Sequence, residues 1–74
     1  MQPKIKLLDG VALVEDLPEL GLYRGQVGTV VEIYEQGTAF EVEFVDETGD
    51  TYAMETLKSQ QLMLLHRQPL LISA

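Results

Sequence analysis

Cysteine is absent from this chain, so neither disulfides nor thiolate zinc sites can staple it. There is one histidine, His66, and no cysteine or second histidine can join it. Metal ligation or general-base chemistry from that residue is therefore not expected. Ser59 and Ser73 have no acid–base pair in a recognisable arrangement, which removes support for nucleophilic catalysis. No glycine-rich phosphate loop or dinucleotide fingerprint occurs. No apolar run approaches the roughly 18 residues that a membrane helix needs. The two lysines of Met1–Leu8 precede only a short apolar patch that Asp9 ends, so no signal peptide is read there. The expectation is a non-enzymatic protein without cofactor or metal, located in the cytoplasm and away from membranes.

What is present is a small core and an uneven charge. Seventy-four residues make one domain. A chain of that size buries only about 60–65% of the surface it exposes when unfolded. The 46% hydrophobic content has to supply the core, with oligomerisation as a further source of stability. Net charge is −7. Residues 1–55 carry all twelve acids against Lys4, Lys6 and Arg24, while residues 56–74 carry Lys58 and Arg67 and no acid. Such a surface repels phosphate backbones, so nucleic acid is not an expected partner. A protein with a basic surface, or a divalent cation, suits it better. Charge that simply maintains solubility is the plainer alternative.

Strand patterns dominate the chain. Val11–Glu15 is a short apolar run. Pro18 and Gly21 mark the following stretch as a loop. Alternation then runs through residues 27–34 and through Phe40, Val42 and Phe44 against Glu41, Glu43 and Val45. Thr51–Glu55 and Leu62–Leu65 complete five strands, with Lys58–Gln61 as a single helical turn before the last. A two-residue turn at Gln36-Gly37 predicts the pairs Ile33 with Phe40, Val31 with Val42 and Thr29 with Phe44. A three-residue loop at Glu47-Thr48-Gly49, with Gly49 left-handed, predicts Phe44 with Tyr52 and Val42 with Met54. The predicted core is Val11, Leu13, Val27, Val31, Ile33, Phe40, Val42, Phe44, Tyr52, Met54, Leu62 and Leu64. These signals give an all-β fold: a small five-stranded barrel over residues 1–66, with a C-terminal tail over residues 67–74. Closure into a barrel would remove the exposed sheet edges.

Three segments in order carry a resemblance: Val14–Glu19, Arg24–Glu32 and Phe40–Asp46. Together they resemble a family of short uncharacterised bacterial proteins of cyanobacterial type, over about residues 5–65. That resemblance implies a domain of unknown function and an antitoxin, immunity or accessory role beside another protein. The segment Arg24–Glu32 also resembles a KOW element, with Gly25 and Gly28 at its glycine positions and Val30 at its valine. It implies an SH3-like barrel, and as an alternative function a module on the transcription or translation machinery contacting protein or RNA. KOW proteins that bind ribosomal RNA are usually basic, and this chain departs from that.

The candidate partner-binding residues fall in two groups. In the predicted register Glu32 faces Glu41 and Glu41 faces Glu55 on the outer sheet face, with Glu43 beside them. Like charges opposite one another destabilise a sheet, so the row reads either as a docking face for a basic partner or weak cation site, or as a solvated charge row that blocks aggregation. Asp46, Glu47 and Asp50 lack the spacing of a calcium loop and read as an acidic turn. The second group lies in the loop Glu15–Arg24, where either Leu17, Leu20, Leu22 and Tyr23 present an apolar contact with an acidic rim, or Leu17, Leu20 and Leu22 fold back to cap an open barrel end. The tail's Leu70-Leu71-Ile72, following Pro69, predicts a homodimer formed partly by strand addition through residues 69–73.

Overall fold

The computed structural model describes residues 4–67 and Pro69. Five strands form one antiparallel sheet: β1 (Gly10–Leu13), β2 (Val27–Tyr34), β3 (Ala39–Val45), β4 (Thr51–Lys58) and β5 (Leu62–Leu64). The order across the sheet is β4-β3-β2-β1-β5. The regular helical content of the described residues is three single 3-10 turns, at Pro18–Leu20, Glu35–Gly37 and Ser59–Gln61. The last of these stands directly before β5, as predicted. The fold is all-β and small-barrel-like. Its hydrogen-bonded sheet leaves β4 and β5 as the two edges, so the expected removal of edges is incomplete.

Both hairpin turns form where the sequence predicts them. Gln36 (φ 58°) and Gly37 (φ 92°) take the left-handed region, and Tyr34 pairs with Ala39 and Ile33 with Phe40. Gly49 is left-handed (φ 89°), and Val45 pairs with Thr51 beyond it. Away from each turn the register then slips by one residue. On β2 the irregularity lies between Val30 and Glu32, so Val31 is the extra residue and Val30, not Val31, faces Val42. On β4 Tyr52 is the extra residue, and Phe44 faces Ala53 rather than Tyr52, and Val42 faces Glu55 rather than Met54. A bulge puts two residues opposite one and exchanges the faces of everything beyond it.

The core follows from this. Val11, Leu13, Phe40, Val42, Phe44 and Leu62 are buried as expected. Val30 and Leu57 replace Val31 and Met54, and Ala12, Leu17, Leu22 and Ala39 join the buried set. Val27, Ile33, Tyr52 and Met54 are exposed, and Val31 and Leu64 are only half-buried. The inner face carries the row Ala53, Phe44, Gly28, Val11, Leu64 across all five strands. Gly28 is required there: a Cβ would stand 2.5 Å from Val42 Cγ1, 2.9 Å from the Glu43 carbonyl and 3.2 Å from the Phe44 ring. The glycine of the Arg24–Glu32 segment is thus explained by close packing of β2 under Phe44.

Candidate docking face

The loop between β1 and β2 is held at both ends. Gly25 N–H donates to the Leu13 carbonyl (2.8 Å) and Leu13 N–H to the Gln26 carbonyl (3.0 Å). Inside it, Leu17 and Leu22 exchange backbone hydrogen bonds (2.8 and 3.2 Å), and Gly21 turns the chain with φ 70°. Arg24 N–H donates to Asp16 Oδ1 (2.9 Å). The leucines divide: Leu17 and Leu22 fold back into the core, so Leu17 is corrected from contact residue to cap. Leu20 and Tyr23 remain exposed at 38% and 51%.

The outer face is built in rows by the ladders. Tyr34, Ala39 and Lys58 form one row. Glu32, Glu41 and Thr56 form the next, so Glu32 does face Glu41, while Glu41 faces Thr56 and not Glu55. Thr29, Glu43 and Met54 follow. The register slip on β4 moves Glu55 to the inner face, half-buried opposite Val42. The acidic row therefore holds three of the four predicted glutamates.

Two of these acids accept from hydroxyls: Thr56 Oγ1 donates to Glu41 Oε1 (2.6 Å) and Thr51 Oγ1 to Glu43 Oε2 (2.7 Å). The Tyr34 hydroxyl is held above the usual tyrosine range, first by partial burial and then by the charges of Glu41 and Glu32. The field on this part of the face is therefore negative.

Below the acids lies a row that the sequence reading missed. Ala12 of β1 pairs with Val27 of β2 on one side and Met63 of β5 on the other. Val45 of β3 continues the row, because its neighbour Phe44 faces Gly28, the neighbour of Val27. Val27 is 51% exposed and Met63 53%, and Val45 is also exposed, with the small Ala12 between Val27 and Met63. Alternation around the buried Leu62 already turns Met63 outward; the placing of Val27 in the core hid the row.

At the Val45 end the row opens into a shallow depression of about 650 Å³ lined by Gln26, Val45, Asp46, Glu47, Thr48 and Tyr52. Gln26 Nε2 donates to the Tyr52 hydroxyl (3.0 Å), and the Tyr52 ring lies 6.2 Å from that of Phe44. Asp46 Oδ1 accepts from Thr48 Oγ1 (2.8 Å), Thr48 N–H (2.9 Å) and Asp50 N–H (3.0 Å). These bonds, the Thr48 hydroxyl foremost, lower the Asp46 carboxyl below its ordinary value. Asp46 is thus a turn-former, as its position in an acidic turn suggested.

Among the described residues no group of three or more His, Asp or Glu is placed to hold a metal ion, and no helix is long and apolar enough to cross a membrane. The tail residues Leu70–Ser73, on which the homodimer expectation rests, lie outside the described residues.

Fold and face together define a small all-β, barrel-like domain whose outer sheet surface mixes apolar and acidic side chains. The family model described as "Domain of unknown function (DUF4926)" matches residues 7–64, and the chain belongs to that family. No curated protein and no solved structure matches the chain.

Proposed function

We propose that this protein is a non-enzymatic interaction module, a small neutralising or accessory partner of another bacterial protein in the cytoplasm, and that the outer sheet face is its docking surface. The observation that carries the reading is the exposed row Val45, Val27 and Met63 beside the carboxylates Glu43, Glu41 and Glu32. Exposed apolar residues gathered on one face of a small protein, rimmed by polar ones, are what a docking surface requires. The acidic rim favours a partner with a basic surface and disfavours nucleic acid. An SH3-like relationship belongs to the same proposal. Its support is the long loop after β1, the two hairpins through β2–β4 and the helical turn before β5.

The test is capture of partners from the native cell with the full chain, set against a Val27→Asp/Met63→Asp variant of unchanged melting temperature. A discrete protein held by the parent and lost by the variant supports the proposal. Identical captured sets overturn it.

A further inference from the structure

β4 is the longer of the two edge strands, with eight residues against three for β5. On one side it pairs with β3; on the other it has no strand partner among the described residues, and every second backbone N–H and C=O is directed away from the sheet. Its side chains alternate by face. Ala53, Glu55 and Leu57 point inward, with Glu55 half-buried opposite Val42 and Leu57 buried opposite Phe40. Met54 and Thr56 point outward, beside Glu43 and Glu41 of β3.

An inward charge on an edge strand guards against indiscriminate pairing, because an added apolar strand would cover the carboxylate. A second copy is a poor occupant: its own β4 carries Glu55 on the same inner face, and its other edge, Leu62–Leu64 of β5, offers no basic residue to set across from Glu55. A guard of this kind is also a selector. An added strand with Lys or Arg directly across from Glu55 sets opposite charges in the closest cross-strand position. Its residues two places to either side fall beside Ala53 and Leu57, where apolar side chains extend the inner face.

We propose that the free edge of β4 takes up an extended segment of a partner protein as a sixth strand, and that Glu55 selects a segment with a basic residue opposite it, flanked at alternate positions by apolar ones. The proposal rests on the reading of this chain as an interaction module and goes beyond it by adding the β4 edge as a site distinct from the outer face. Backbone hydrogen bonds supply the attachment, and the Glu55 position supplies the choice.

The experiment presents the full chain to a displayed library of random eight-residue peptides and follows enriched peptides by binding titration and by amide hydrogen exchange of the protein. The expected result is enrichment of peptides with a single Lys or Arg flanked at two-residue spacing by apolar residues. Such peptides bind Glu55→Lys about tenfold more weakly than the parent, the swing of one cross-strand charge pair from attraction to repulsion. Glu55→Gln, which keeps size and removes charge, falls between them and serves if the Lys variant does not fold. Exchange slows at alternate amides of β4, and N-methylation of the peptide at alternate positions abolishes binding. Equal binding to parent and to Glu55→Gln overturns the proposal, as does a library that yields no enriched peptide. Peptides that protect Val27 and Met63 while leaving β4 unchanged also overturn it, and leave the docking reading standing.

Discussion

The two faces of the β2–β3–β4 ribbon are made from the same three strands and have opposite characters. Inward, Phe40, Val42 and Phe44 are buried against Val30, Leu57 and the bare backbone of Gly28. Outward, Glu41 and Glu43 stand between Glu32, Thr29, Thr56 and Met54, then give way to the exposed Val45 and Val27. One face is filled to the point where no Cβ fits at position 28; the other keeps apolar groups in water next to carboxylates. The difference separates stability from recognition. Substitutions at the fully buried inward residues should unfold the chain, and substitutions at exposed outward ones should leave it folded but alter what it contacts.

The largest effect expected is from Phe44→Ala, which empties the centre of the inner row and should cost about 3–5 kcal/mol. For a domain this small that removes most of the net stability, visible as loss of a cooperative thermal transition. A variant melting within a few degrees of the parent would mean that the faces are wrongly assigned. Gly28→Ala works from the opposite direction, by overfilling. Its Cβ would meet the Val42 side chain and the Glu43 carbonyl, and the expected cost is about 1–3 kcal/mol by chemical denaturation.

Neighbouring valines sharpen the comparison further. Val30→Ala removes a fully buried side chain and should cost about 2 kcal/mol. Val31→Ala, at the half-buried bulge residue, should cost clearly less. The reverse order would restore the unbroken register. A smaller effect lies at the β3–β4 turn. The Asp46 carboxyl is lowered by its bonds from Thr48 and Asp50, so its contribution is complete above the ordinary value of 3.8 and is lost as pH falls through the lowered folded value. Melting temperature measured against pH should therefore fall more steeply in that acid range for the parent than for Asp46→Asn.

The bulges also explain what could be read in the sequence. Strict alternation on β3, the glycines at both turns and the helical turn before β5 were all legible, because each depends on local residue types. The registers next to the turns were legible for the same reason. Val31 and Tyr52 were not. Both β-branched and aromatic residues fit a regular strand, so nothing local marks either as the extra residue, and each carries its neighbours to the other face. Val27 and Met54 were assigned to the core and Val30 left out of it by this alone; Leu57 was left out also because the predicted fourth strand ended at Glu55, where β4 runs on to Lys58. Of the candidate site, Glu32, Glu41 and Glu43 lie on one outer face of the sheet, as expected; Glu55 and Leu17 moved inward. The family, over residues 7–64, agrees with the domain of unknown function implied by the three resembling segments.

The smallest effect on stability is the most informative about function. Val27→Asp combined with Met63→Asp changes two exposed positions of one row, each expected to shift unfolding by no more than about 0.5 kcal/mol. Measuring the melting temperature of this variant alongside its binding to a partner captured by the parent tests the separation of the two faces directly. The account predicts an unchanged melting temperature and lost binding. A variant that unfolds, or one that keeps both its stability and its partner, would contradict it.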